Sequence, residues 1–223
     1  MRKVLTILAV LALSTATSFA QVTIGAGYAH NISTSKLSNS TANNALTDGF
    51  YIEGGIQAQL GEIVTFNPTL RYTFLTSGES NSIAVPIIGT LSGSSRLLEH
   101  YLSVPAMFEL NLELNNGRFF MFAGPTLELG LASTARLSAS AYDGLGASIL
   151  EALGLGSKAN MSLDLYKDKT YGRFDALIGG GIGFQFGQFI IKAGYNYGMV
   201  DRNKTSEITL HDQQIYCGVA VAF

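Results

Sequence analysis

A single cysteine, Cys217, stands in 223 residues, so no disulfide within the chain can brace the fold even in an oxidising compartment. Excess positive charge is missing as well. The 14 Lys and Arg face 16 Asp and Glu, without the basic patch that nucleic-acid binding calls for, and no nucleic-acid partner is expected. After residue 20 no apolar run approaches the ~18–20 residues of a membrane-spanning helix, which leaves strands as the means by which this chain could cross a bilayer. Charge of either sign is scarce, 13% against about 25% in an ordinary soluble domain. With a mean hydropathy of +0.26, this is the composition expected when apolar side chains coat the outside. Catalytic signatures are lacking too. There is no Gly-x-Ser-x-Gly elbow, the glycine run 179–183 falls short of the dinucleotide fingerprint and lies in a strand pattern, and residues 154–158 do not complete a phosphate loop. No catalytic residue, cofactor or metal is expected.

What is present begins with Arg2 and Lys3, an apolar run over 4–13, and the small-residue exit Ser18, Phe19, Ala20 before Gln21. This is the pattern of a secretory signal peptide, residues 1–20, leaving 21–223 as one barrel domain. Its removal takes the formal net charge from −2 to −4. No cysteine follows the apolar run, so lipoprotein processing is not expected.

The last nine residues alternate, with Ile215, Cys217, Val219, Val221 and Phe223 on one face and Tyr216, Gly218, Ala220 and Ala222 on the other. Period two marks a strand between unlike environments. It recurs over 22–30, 49–60, 63–75, 97–112, 118–132, 170–186, 189–200 and 212–223, each long enough or nearly so for the ~9–11 tilted residues that cross a bilayer. Tight turns at 61–62, 113–117 and 187–188 alternate with long loops at 31–48, 76–96, 133–169 and 201–211. Short turns at one rim and long loops at the other predict an all-β fold: an eight-stranded antiparallel up-and-down transmembrane β-barrel of the outer membrane of a Gram-negative bacterium, with short periplasmic turns and long extracellular loops.

One face of these strands collects residues such as Ile24, Ile52, Leu70, Val104, Met121, Ile178, Ile191 and Val219. The other collects Gly27, Glu53, Gln57, Arg71, Glu109, Glu128, Asp175, Gly181, Lys192 and Asn196. The polar face is rich in glycine and poor in charge, as suits a narrow lumen, so the apolar face is placed toward lipid. Aromatics gather at both strand ends, Phe66, Phe108, Phe184, Phe189 and Phe223 near the short turns and Tyr28, Phe50, Phe74, Phe174 and Tyr195 toward the loops. Two such belts match the two membrane interfaces.

The stretches 101–105 (Tyr-Leu-Ser-Val-Pro), 107–110 (Met-Phe-Glu-Leu), 123–125 (Ala-Gly-Pro), 179–184 and 192–198, taken in order, resemble the PorT-like outer-membrane β-barrel proteins. The resemblance implies an eight-stranded exported barrel, and the family's namesake is linked to protein secretion. Residues 216–223, with Gly218, Val221 and Phe223, look like the signal read by the barrel-assembly machinery, which is thereby an implied partner.

Inside, Glu53, Glu109 and Glu128 with Arg71 and Lys192, and Arg173 and Asp175 nearer the outer rim, are the candidates for chemistry. Tyr51, Tyr101, Phe120, Phe122 and Tyr216 point the same way. An eight-stranded interior is just wide enough for its own side chains, and charges there must pair, so a plug of salt bridges is weighed against a gated ion path. His30, His100 and His211 fall near the outer strand ends, with His30 and His211 expected as neighbours where the first and last strands close. They read as interfacial residues rather than metal ligands. Residues 143–154 carry Leu145, Ile149, Leu150 and Leu153 at helical spacing, with Asp143 as an N-cap and Gly154 as a stop. The function expected is a structural or interaction role, in one form accessory to protein secretion or surface assembly. A narrow or gated transport module is the alternative, and a barrel enzyme acting on lipid or peptide is a third. Expected partners are outer-membrane lipids and lipopolysaccharide, and a protein at the extracellular loops.

Overall fold

The computed structural model describes residues 20–37, 43–85, 89–141, 158–167, 172–203 and 208–223. Nine strands follow in order: β1 Ala20–Leu37, β2 Asn43–Gln59, β3 Val64–Val85, β4 Gly89–Leu114, β5 Gly117–Ala141, β6 Lys158–Asp164, β7 Phe174–Phe186, β8 Phe189–Gly198 and β9 Ile208–Ala222. Eight close a ring in the order β1-β2-β3-β4-β5-β7-β8-β9, every pair antiparallel, and β9 returns to β1. Closure removes every edge within the bilayer, where an unpaired backbone group would find no water. Traced from partner to partner, the register leaves β1 at Thr23, passes Gly55 and later Leu177 and Gly198, and rejoins β1 at Ser33, ten residues further on. This stagger tilts the strands and sets the bore.

The sequence pattern built the wall correctly. Val219 is 60% and Ile191 63% exposed on the outer face, where lipid covers them, whereas Glu53, Arg71, Glu109, Glu128 and Asp175 are buried. The belts are continuous across strands. Tyr28, Phe50, Phe74 and His100 are successive register partners on β1 to β4, and at the other rim Phe66 pairs with Phe108, their rings 4.9 Å apart. Glycine inside makes room for aromatics. A Cβ on Gly27 would lie 2.6 Å from the Tyr51 ring, and one on Gly194 would lie 2.6 Å from the Tyr216 ring. At the β7–β8 turn Gly187 takes φ 57°, the left-handed conformation that two-residue hairpins require.

Strand length departs from expectation. β3, β4 and β5 run 22, 26 and 25 residues, so most of the expected loop 76–96 is a continuation of the β3–β4 hairpin, Thr76 pairing with Leu98 and Val85 with Gly89. The expected loop 133–169 likewise begins with the end of β5 and contains β6, which pairs with β5 from Thr134 to Ser140. These upper segments are rich in Ser, Gly and Ala, and at 78–80 and 93–96 consecutive residues, on both faces, are exposed, so no apolar alternation marks them. The signal-peptide residues 1–19 and the expected helix at 143–154 lie outside the described residues.

Candidate functional site

The lumen holds two layers of polar groups. In the inner layer Glu53 on β2 and Arg71 on β3 are direct register partners. Arg71 Nε and Nη2 both donate to Glu53 Oε2, at 3.0 and 2.8 Å, and Lys192 from β8 pairs with Oε1. The guanidinium lies 4.4 Å from the ring centroids of both Tyr51 and Tyr216, whose planes meet edge to face at 90°. One cation is thus clamped between two aromatic faces and a carboxylate, with cation–π attraction strengthened by its dry surroundings. Below it, Asn67 Nδ2 donates to Glu109 Oε1 at 2.7 Å, and Arg118 Nη2 approaches Glu109 Oε2 at 3.7 Å. Between Arg71, Glu109 and Lys192 remains a gap of about 10 Å³, at most the room of one water. This layer is a plug.

The outer layer is organised by a residue from a connection. Arg202 follows β8 and is buried. Its Nη1 pairs with Asp212 on β9 and donates to Tyr101 Oη at 3.1 Å, while Nη2 donates to Tyr166 Oη at 2.9 Å. Asp212 also accepts from Ser33 Oγ at 2.5 Å. Tyr101 and Ser133 hydroxyls donate to Glu99 Oε1 at 2.8 and 3.2 Å. Glu128 and Asp175, register partners on β5 and β7, complete the acidic side, with Asp175 Oδ1 accepting from the Val200 amide at 3.1 Å. Four buried carboxylates therefore surround one buried arginine.

Local turns deliver both loop residues. Asp201 Oδ1 accepts from the amides of Asn203 and Leu210, each at 2.9 Å, so the chain doubles back and aims Arg202 inward. Asp164 Oδ1 accepts from the amides of Tyr166 and Lys167 at 3.0 and 3.1 Å, an Asx turn that swings Tyr166 off the end of β6 and over Gly130. Burial pushes the Tyr166 phenol up to about 12.

Of the sequence candidates, Glu53, Arg71, Glu109 and Lys192 meet in one layer and Glu128 and Asp175 in the other. Arg173 is a correction. It is exposed, donates to the Leu131 carbonyl at 3.3 Å and lies 5.0 Å from the Tyr166 ring centroid, so it covers the mouth from outside; it precedes β7, where strand parity no longer governs direction. Arg202 and Tyr166 gave no signal, because loops carry no period. Glu99 and Asp212 share parity with Tyr101 and Gln214 and could have been found.

The histidines sit at the outer belt. His30 Nδ1 is 2.7 Å from Asp48, His100 Nδ1 is 2.6 Å from Tyr72 Oη, and His211 stacks on Tyr197 at 12°. His30 and His211 are not neighbours: the tilt of the seam pairs His30 with Ile215 and His211 with Thr34. Among the described residues no three His, Cys, Asp or Glu side chains converge as metal ligands.

The family described as outer membrane protein beta-barrel domain matches residues 19–202. No curated protein matches the chain. Among solved structures, Ail, the attachment invasion locus protein of Yersinia pestis, is 14% identical with a TM-score of 0.41, covering 92% of this chain and 99% of that one. Neisserial surface protein A is 15% identical with a TM-score of 0.40 and the same coverage. The outer membrane protease OmpT from Escherichia coli is 6% identical with a TM-score of 0.38, covering 92% and 96%.

Proposed function

The chain belongs to the outer membrane protein beta-barrel domain family and lies in the outer membrane of a Gram-negative bacterium, and from that premise we propose that it is a closed anchor presenting a protein-binding sheet outside the cell. The observation that carries this is the length of β3, β4 and β5. Crossing takes ~9–11 residues, so strands of 22 to 26 residues continue well above the aromatic belt. With β6 they form a four-stranded sheet. Among the described residues β6 pairs only with β5, and in this reading its other side offers backbone donors and acceptors to an incoming strand.

A photo-crosslinking residue at Arg136 or Leu163, both exposed on the upper sheet, is expected to give a discrete adduct with a second protein in intact cells. The same residue at Leu60, by a short turn, is not. Adducts at none of these positions would remove the interaction reading. The narrower likeness to PorT-like barrels, with a role beside a secretion or surface-assembly apparatus, belongs to this proposal, as do outer-membrane lipid and lipopolysaccharide at the belts and the barrel-assembly machinery at β9.

A second reading is favoured by the four carboxylates around Arg202: a cation path closed by that side chain. Planar-bilayer recording separates the two. The anchor stays silent, whereas a persistent conductance would favour transport. We assign no catalytic role.

A further inference from the structure

Two arginines of the upper sheet, Arg96 on β4 and Arg136 on β5, are direct register partners, and both are exposed. Their direction follows from the pair three residues below. Glu99 and Ser133 are register partners, buried at 4% and 0% on the lumen side. Three steps along alternating strands reverse the face, so Arg96 and Arg136 both stand on the outward side, the one continuous with the lipid-facing wall. Like charges directly opposite each other in a sheet are destabilising. An anion between them removes that cost.

Nothing else on this face supplies the anion. Among the described residues neither arginine makes an ion pair. Glu79 pairs in register with Ser95, one step from Arg96 and therefore on the opposite face. Asp164 shares the outward face, diagonal to Arg136 through its partner Thr134, but its Oδ1 caps the amides of Tyr166 and Lys167. The remaining neighbours are small or carry hydroxyls. Gly78 flanks Arg96, Ser162 flanks Arg136, and Ser94 and Ser138 pair in the next outward row.

Height selects the anion. Arg96 lies four residues beyond His100 of the outer aromatic belt, about 10 Å above it at ~3.3 Å per residue and a tilt of ~35–45°. The polar headgroup layer extends ~5–8 Å beyond the hydrocarbon on each side, within reach of an arginine side chain. Headgroup phosphate suits the paired planar forks of guanidinium groups.

We infer that Arg96 and Arg136 form a binding site for the phosphate of an outer-leaflet glycolipid, held between the two guanidinium groups with the Ser94 and Ser162 hydroxyls as further donors. The site refines the proposal that outer-membrane lipid meets the barrel at its belts. It is separate from the strand-accepting edge of β6.

The test uses the full barrel refolded in detergent micelles and native mass spectrometry to count bound lipid. Probes are diphosphoryl lipid A, the same lipid stripped of its phosphates, and inorganic phosphate as competitor. One diphosphoryl lipid A is expected to bind at least about tenfold more tightly than the stripped lipid, as charge-assisted hydrogen bonds imply, and to resist millimolar inorganic phosphate. Replacing both arginines, Arg96→Gln with Arg136→Gln, should abolish this preference while keeping the shifted gel mobility of the folded barrel. Lys36→Gln, which removes an exposed charge on β1, should leave it intact. Equal retention of the stripped lipid, displacement by inorganic phosphate, unchanged preference in the folded double variant, or an equal loss in Lys36→Gln would each overturn the site. The adduct at Leu163 reports the protein-binding role independently, so failure of one does not pass for failure of the other.

Discussion

Arg71 concentrates more interactions than any other lumen residue that strand parity placed: two hydrogen bonds to one carboxylate and two aromatic faces at 4.4 Å. Replacing it with Met keeps the volume and the tyrosine packing but leaves Glu53 with Lys192 alone. Breaking a buried pair in this way costs about 3–5 kcal/mol, which urea unfolding of the barrel in lipid vesicles should register. An unfolding midpoint and conductance equal to those of the parent would dismiss a key role for Arg71. Its direction was legible because it lies on a strand, where each step of two returns to the lumen. Arg202 was illegible for the complementary reason, since what aims it inward is the carboxylate of Asp201 capping two backbone amides, a detail of turn geometry and not of periodicity.

Among elements, the strands separate cleanly into wall and superstructure. Arg at Val219 or Ile191, both facing hydrocarbon, should destabilise the barrel by ~2–4 kcal/mol. Arg at Ser80, exposed on the upper part of β3, should have no comparable effect, and equal tolerance of all three would undo the assignment of faces. The alternation of apolar and polar residues disclosed where each strand crosses lipid but not where it ends, because hydrocarbon writes the period and water does not. Thus Phe66 to Phe74 could be read as wall, while Ser77 to Ser82 passed for loop although its backbone keeps pairing with Ser92 to Leu97. The β8–β9 connection carries a prediction of its own. In Arg202→Gln the carboxylates of Glu99, Glu128, Asp175 and Asp212 lose their only buried arginine. Because the inner layer still plugs the lumen, the variant should stay as silent as the parent in bilayer recordings while its unfolding midpoint falls through the uncompensated buried carboxylates. A cation-selective conductance, with a reversal potential that follows the cation gradient, would instead show that Arg202 closes the path.

For the molecule as a whole, the ring and its plug are parts of one construction. The inner layer joins β2, β3, β8 and β9 through Glu53, Arg71, Lys192 and Tyr216, and the outer layer joins β4, β5, β7 and β9. Opposite sides of the wall are therefore tied through the middle, and unfolding is expected as a single transition by both tyrosine fluorescence and gel mobility. Two separated transitions would mean that the layers melt independently.

The seam between β1 and β9 has a temporal consequence. The barrel's own first strand pairs with its last, Thr23 with Ala222 through to Leu37 with Ile208, so no earlier portion of the barrel can complete its hydrogen bonding on its own. A nascent chain must be kept from aggregating over nearly its entire synthesis, and a premature stop anywhere before the final hairpin yields a sheet with two open sides instead of a smaller working barrel.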